Sequence, residues 1–521
     1  MMDMKMNFAA CSTTRALIAT LAGIGLFLVV FQLLNSFCPC SSKILPILQQ
    51  SITGRIHDAA PSPGSQKVDK EADSPVPVAD EFAWEQSIPS ESQYSNFSEA
   101  DGSDTSPPNV SNSSTEEDHE ARDGRQMQPY GVAAHLFVHL GSYRGGARAF
   151  ATVGLASKPL HVFGRPGFDC EWIPTGNLSN ASLMAKGSRM LPDWGFGRVY
   201  TVVVVICTFD RDVGTDSEGG ELVLHAYDGS DFTQAARIAA LKEVPGEYNS
   251  SLFHPPYPYK YLYCGSPLYG NINPNRMREW MAYHAWLFGP SSYFVLYDAG
   301  GVDSDLMKVL NPWIELGRVK IENVREQKKY DGYYYNQFLF VNDCLHKYRF
   351  MSNWTFFFDV DEYIYISPGE AMDSVLDSYG ASQLLIGQRH ISEKLCLQNS
   401  DNMEGEDSRI WGFEKLVFKN VKKQRWNRKY VVNARKAFSA GVHLSKNLVG
   451  KTVRPNGNKI SYYHYHDTIN YPGELCREFI KVKDKTVWFE GDPYKYDGSM
   501  AGLIEDVKEF ERKSLGSNTT S

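Results

Sequence analysis

The stretch FFFDVDEYIYI, Phe356 to Ile366, poses the structural problem of the whole chain. Its aromatic and β-branched residues make a buried strand, yet Asp359, Asp361 and Glu362 interrupt it. An unpaired charge in such a setting is costly, so these carboxylates must reach a strand end or meet a cation. Side chains at i and i+2 of an extended chain point the same way, so Asp359 and Asp361 face one point while Val360 faces the core. Two convergent hard oxygen donors suit Mg²⁺ or Mn²⁺, ions usually held by one or two carboxylates together with substrate phosphates. The expectation is a divalent ion holding a nucleotide diphosphate. The bland alternative is pairing with Lys or Arg at a strand end.

Upstream of this stretch, apolar strands alternate with helical patterns. NRMREWMAYHAWLFG has helical spacing and stops at Gly289-Pro290, and the strand YFVLYDAGG follows. DLMKVLNPWIELG reads as a helix, RVKIENV as a strand and QFLFVNDCLHKYRF as a helix before WTFFFDVDEYIYI. Such alternation implies a mostly parallel sheet with helices on both faces. Ligands bind at the carboxyl ends of strands in these sheets, where YDAGG and FDVDE both lie. Asp298 is therefore a candidate contact for base or ribose, or else a cap for the loop at Gly300 and Gly301.

From about residue 127 to 250 the pattern differs. Short apolar or alternating runs such as AAHLFVHLGSY, PLHVFGR, RVYTVVVVICTF and GELVLHAYD are divided by Gly, Pro and Asp, and only the brief AARIAALKE reads as helical. This spacing implies a β-sandwich. Trp172, Trp194 and several tyrosines are candidates for a sugar-stacking face, with the core as their ordinary location.

The N-terminal part is of another kind. Residues 16–36 hold the charge-free run ALIATLAGIGLFLVVFQLL, long enough to cross a bilayer, preceded by Lys5 and Arg15 in a tail of residues 1–15. Residues 37–126 are rich in Ser, Pro, Asp and Glu and read as a disordered stem. Eight N-x-[ST] acceptor sites, from Asn96 to Asn518, agree with a luminal location. Cys170, Cys207, Cys264, Cys344, Cys396 and Cys476 are too scattered for a compact zinc site, and an oxidising compartment lets them form disulfides. A net charge of −8 gives no electrostatic support to nucleic-acid binding.

Near the C-terminus SYYHYHDTINY puts His464 and His466 on one face of an extended segment, where either imidazole is a plausible further ligand for Mn²⁺; an aromatic cluster is the alternative. RIWGFEKLVFKN offers Glu414, and KKQRWNRKY a basic patch.

Taken together, YLYCGSPLYGNI, REWMAYHAWLFG, FVLYDAGGV, FFFDVDEYI, WGFEKLVFKN and HYHD resemble the plant β-1,4-galactan synthases of glycosyltransferase family 92 over essentially everything after the stem. The resemblance implies a single-pass type II Golgi membrane protein with a GT-A catalytic domain at 251–521, preceded by a β-sandwich carbohydrate-binding module at 127–250, and a possible homodimer. It further implies transfer of galactose from UDP-galactose to β-1,4-galactan side chains of pectic rhamnogalacturonan I. Asp359 and Asp361 then correspond to the family's Mn²⁺-binding D-x-D, and the metal histidine falls at His464 or His466. An α-linked donor and a β-linked product require one inverting displacement and a base for the acceptor O4 hydroxyl. Glu414 is the candidate base, with Glu393 and Asp401 as rivals. A non-catalytic glycan-binding membrane protein, a transferase for another glycan, and a metal-dependent phosphatase are the competing readings; Tyr363 stands where the phosphatase pattern wants Thr.

Overall fold

The structure, a computed structural model, describes residues 127–130, 136–157, 166–175, 181–192, 199–229, 232–330, 332, 334–398, 410–422, 428–455, 457–471, 473, 476–481 and 486–516. The proposed membrane span and stem, Trp194, Asp401 and all of PLHVFGR lie outside these residues. Among the described residues no helix is long and apolar enough to cross a membrane.

The all-β part contains β1 (Gln128–Tyr130), β2 (Phe137–Arg144), β3 (Ala149–Ser157), β4 (Gly167–Pro174), β5 (Leu183–Met190), β6 (Tyr200–Thr208), β7 (Gly220–Tyr227) and β8 (Ala236–Glu243). Among the described residues they pair in the order β1-β2-β3-β6-β5-β4-β7-β8, every pairing antiparallel, and the path curls until β2 lies against β8. The expected helix at AARIAALKE is instead β8. Ala, Leu, Lys and Glu favour helices, but here Ile238 and Ala240 alternate into the core while Arg237 and Ala239 face out, and pairing with β7 overrides intrinsic preference. Trp172, a candidate sugar platform, is a core residue stacked on Phe150 at 5.4 Å and 1% exposed.

The α/β part begins with β9 (Tyr259–Cys264) and continues through α1 (Pro274–Phe288), β10 (Ser292–Asp298), α2 (Ser304–Glu315), β11 (Val319–Asn323), α3 (Gln337–Lys347), β12 (Ser352–Phe357) and β13 (Glu362–Ile366). The helix expected before Gly289 is α1. Asn273 caps it by accepting from the Asn275 N–H at 3.0 Å, Pro274 occupies the first turn, and Gly289 ends it at φ 71°. After β13 come α4 (Met372–Asp377), β14 (Gln383–His390), β15 (Leu395–Leu397), α5 (Gly412–Lys415), β16 (Phe418–Asn420), β17 (Lys429–Val432), β18 (Thr452–Val453) and β19 (Ile460–His464). The last elements are β20 (Glu478–Ile480), β21 (Val487–Phe489), β22 (Asp492–Tyr496) and α6 (Ile504–Leu515).

Among the described residues the main sheet runs β11-β10-β9-β12-β17-β14-β19-β13, with β18 beside β14. Its first half is parallel, as expected; from β12 onward it is mixed, because β17 returns antiparallel to both β12 and β14, and β13 runs antiparallel to β19. Apolar periodicity reports burial, not strand direction, so this reversal is invisible in the sequence. β14 changes partners midway: Gln383–Ile386 pairs with β17 and Gly387–His390 with β19.

The expectation of helices on both faces also needs amendment. Helices α1, α2 and α6 cover one face, whereas the other is shared by α3 and the all-β sheet. Val202, Val204 and Ile206 pack with Leu339 and Leu345 of α3, while Val203 and Val205 face the interior of the all-β part. The unbroken run TVVVVICT is thus apolar because both its faces are buried. Three disulfides lock this arrangement: Cys170–Cys207 ties β4 to β6, Cys264–Cys344 ties β9 to α3, and Cys396–Cys476 ties β15 to the segment before β20.

Two histidines are buried without charge. His284 sits among Trp280, Tyr283, Phe358 and Tyr363; its Nδ1–H donates to the Trp280 carbonyl at 2.9 Å, and its Nε2 accepts from Ile364 N–H at 3.3 Å. Burial holds its pKa down to about 3, and burial does the same for His346. The folded protein therefore binds these two protons only near pH 3, while the unfolded chain takes them up near pH 6.5, so stability is lost as the pH falls through that window. Between pH 7.5 and pH 5.5 the wild type should therefore lose about 1.4 kcal/mol more stability to denaturant than His284→Phe, in which one of these protons is no longer at stake. An identical pH response in the wild type and in His284→Phe would contradict this packing.

Candidate active site

The acidic stretch occupies the point where β12 leaves the sheet. Phe356 and Phe357 complete β12, and a turn closed by Glu362 N–H to the Asp359 carbonyl at 3.1 Å then redirects the chain into β13. FFFDVDEYIYI is thus two strands joined by a turn, not one. Register does the rest: β13 against β19 sets Glu362 opposite His464, and Tyr465 N–H donates to the Asp361 carbonyl at 3.0 Å. His464 Nε2 comes within 3.4 Å of Asp361 Oδ2, and the ligand-capable atoms of Asp361, Glu362 and His464 all lie within 4.8 Å of one another. Gln388 of β14 holds the other side of the imidazole, its amide nitrogen 2.6 Å from Nδ1.

Asp359 turns elsewhere. Its Oδ2 pairs with Lys429 Nζ at 2.5 Å, and its Oδ1 accepts from Ser266 Oγ–H and from Gln337 Nε2 at 3.1 Å. Glu362, almost fully buried, accepts from the Asp359 N–H at 2.8 Å and lies 3.5 Å from Lys429 Nζ. The two carboxylates of the D-x-D therefore face different partners, a consequence of the turn, since side-chain alternation holds only in extended backbone. Lys429, its side chain 3% exposed, is the cation that the part-exposed Asp359 and the buried Glu362 meet.

The electrostatics follow from burial and this one lysine. Burial pushes the Glu362 carboxyl up to about 8, against the pull of Lys429. Burial acts on Asp359 in the same direction, but Lys429 and Ser266 outweigh it and the carboxyl stays low. For Lys429 itself burial opposes the charge, and Asp359 and Glu362 more than restore it. His464 is raised to about 9 because Asp361 overcomes its desolvation.

Other residues singled out in the sequence are placed as follows. His466 is half-exposed and pairs with Asp467 at 2.9 Å, its ring centroid 5.2 Å from that of His464. Both oxygens of Asp298 are engaged: Oδ1 accepts from Gly300 N–H at 2.8 Å and Val302 N–H at 3.2 Å, and Oδ2 pairs with Arg325 Nε at 2.9 Å. It caps the Gly300–Gly301 loop. Glu414 is not brought to the cluster by any of its hydrogen bonds; its Oε1 accepts from Lys508 Nζ of α6 at 2.6 Å and closes the first turn of α5. Glu393 lies 3.9 Å from Lys394 Nζ. Sequence reasoning passed over Ser266, Gln337 and Gln388, and it saw Lys429 only as part of a basic run. Ser266 and Gln337 do sit at informative places, the carboxyl end of β9 and the start of α3.

A carboxylate, an imidazole and a second carboxyl in one small volume form a donor set that a divalent ion of the Mn²⁺ type accepts. Asp361 and His464 would hold it, and such an ion supplies charge neutralisation to a bound diphosphate.

The description "Glycosyltransferase family 92" matches residues 259–491. A protein named galactan beta-1,4-galactosyltransferase GALS1, from Arabidopsis thaliana, is 52% identical over 398 residues, 76% of this chain and 79% of that protein. A second from the same plant, galactan beta-1,4-galactosyltransferase GALS2, is 45% identical over 401 residues, covering 75% of this chain and 76% of its own length. Among solved structures, S. aureus TarS 1-349 in complex with UDP-GlcNAc is 13% identical over 39% of this chain and 58% of that chain, at a TM-score of 0.25, too slight a likeness to bear on either fold or function.

Removing the central cation should be severe. Lys429→Met keeps the side-chain volume but leaves the buried Glu362 and the part-exposed Asp359 without their partner, a loss expected to cost up to about 3 kcal/mol of stability in denaturant titrations. By contrast Glu414→Gln, which breaks only the pair with Lys508 on a partly exposed surface, should lower stability by less than about 1 kcal/mol and leave catalysis intact. Loss of turnover in Glu414→Gln with unchanged stability would return that residue to the site.

Proposed function

The chain belongs to glycosyltransferase family 92, together with the plant galactan β-1,4-galactosyltransferases, and from that membership we propose that it transfers galactose from UDP-galactose to O4 of a β-1,4-galactan chain with inversion at the anomeric carbon. The observation that carries this reading is the Asp361–Glu362–His464 cluster at the end of β12, where a parallel sheet meets returning strands. Substrates of α/β sheets gather at such points.

The chain's own residues divide the work. Asp361 and His464 would hold a manganese ion accompanying the diphosphate, while Lys429, Ser266 and Gln337 hold Asp359 in its own contacts. Lys429 also places a positive charge under the region where leaving-group charge develops, in a setting where burial strengthens its effect. The acceptor is the galactan side chain of rhamnogalacturonan I, which the all-β part would help to retain as a glycan-binding module. Three disulfides among the described cysteines and the apolar run at residues 16–36 support a type II protein in the oxidising Golgi lumen.

A transfer assay with UDP-galactose, Mn²⁺ and a labelled β-1,4-galacto-oligosaccharide tests this directly. A ladder of β-linked products is expected from the wild type and none from Asp361→Ala or in EDTA; UDP release without elongation would reject the acceptor. UDP-arabinopyranose, which lacks only the C6 hydroxymethyl of galactose, should be used about 10- to 200-fold less efficiently, since a pocket gains only about 1 to 3 kcal/mol from such a group. Complete exclusion of arabinose from the products would show a donor pocket more selective than that.

A further inference from the structure

Transfer to a hydroxyl needs a base; of the carboxylates considered from the sequence, Glu414 is engaged by Lys508, Glu393 lies 3.9 Å from Lys394, and Asp401 falls outside the described residues. A different group faces open space near the cluster. A cavity of about 360 Å³ lies between the N-terminal turn of α3, the segment following β5 and the loop of residues 439–447. Pro192, Phe338, Val442 and Leu444 give it apolar walls, and His443 and Lys446 are among its polar lining. Mixed walls of this kind suit a sugar, which presents an apolar face of C–H groups and a rim of hydroxyls.

The cavity and the site share two stretches of chain. Phe338 follows Gln337, which donates to Asp359, and His443 is anchored to Arg428, the residue before Lys429. The anchor fixes the proton on the ring. His443 Nδ1 lies 2.9 Å from the Arg428 carbonyl, which can only accept, so Nδ1 carries the hydrogen and the neutral ring keeps its lone pair on Nε2. The ring is exposed rather than sealed in the core, as a group that must meet a substrate has to be. Lys429, Asp359 and His464 are the charged groups that act on it: partial desolvation where the ring packs on its own loop and the positive charge of Lys429 lower its pKa, while Asp359 opposes them.

We propose that this cavity is the acceptor subsite and that His443 is the catalytic base. Nε2 takes the proton of the acceptor hydroxyl as that oxygen bonds to the anomeric carbon of the donor. The bond from that carbon to the diphosphate oxygen breaks, and its electron pair leaves with the diphosphate. The imidazolium then returns its proton to solvent through the open side of the cavity. The proposal rests on the galactosyltransferase reading above.

The test compares wild type, His443→Ala and Val442→Trp in galactosyl transfer and in UDP binding measured by calorimetry with Mn²⁺ present. His443→Ala is expected to lose about 10²- to 10⁴-fold in kcat, the range typical of a general base, with UDP affinity and melting temperature unchanged. Added imidazole should restore part of that loss in His443→Ala and do nothing for the wild type. Val442→Trp, which fills the cavity, should raise the acceptor KM and leave UDP binding alone. Transfer by His443→Ala within a few-fold of wild type overturns the base, as does a loss that imidazole fails to relieve or that comes with weakened UDP binding. An unchanged acceptor KM in Val442→Trp overturns the subsite. A wild-type protein inert toward galactosyl donor and acceptor would instead remove the reading beneath the proposal, which separates the two failures.

Discussion

The ion cluster formed by Lys429, Asp359 and Glu362 is the constraint around which the α/β part is arranged. Three carboxylates at the end of a buried aromatic strand are tolerable only with a cation among them, and a lysine so deeply buried is tolerable only with carboxylates around it. The sheet meets this demand through its reversal of direction. Because β17 returns antiparallel to β12, with Phe357 opposite Tyr430 and Phe356 opposite Val431, its first residue, Lys429, arrives where β12 ends. The same reversal leaves Asp361 free to turn toward β19 and His464. A structural ion pair and the proposed metal-binding cluster thus share one turn of chain, each using one aspartate of the D-x-D.

Helix α3 connects this site to the rest of the molecule. Its first residue, Gln337, donates to Asp359. Further along, Asp343 is buried and accepts from Tyr297 of β10 at 2.7 Å and from Tyr143 of β2, joining the main sheet to the all-β part. Cys344 ties the helix to β9. The apolar faces of β3 and β6 close over it. The all-β part is therefore packed into the core that supports the site and does not hang from it as a separate bead. In this arrangement the cavity holding His443 opens between the two parts.

Much of this was legible in the sequence, for identifiable reasons. Charges inside an aromatic run marked the site, and alternating apolar and amphipathic segments gave the parallel half of the sheet. What escaped notice depended on distant partners. The partner of Glu414, Lys508, lies 94 residues further along the chain and leaves no local sign in the sequence. His464 and His466 were equivalent on paper, yet the β13–β19 register puts the first opposite Glu362 and lets the second pass the strand end to Asp467. AARIAALKE was composed like a helix and folded as a strand because its partner β7 supplied the pairing. Lys429 was hidden among neighbouring basic residues. Asp298 illustrates the reverse case, since the bland alternative of a loop cap, visible in YDAGG, describes its contacts.

The most direct test of the account is UDP binding to the wild-type protein and to Asp361→Ala, by calorimetry, with Mn²⁺ and with EDTA. If Asp361 and His464 hold the ion that receives the diphosphate, the wild type binds UDP with Mn²⁺ and loses at least tenfold in affinity with EDTA, and Asp361→Ala binds weakly in both. Equal affinity in all four conditions would mean that the cluster at the end of β12 does not hold the donor.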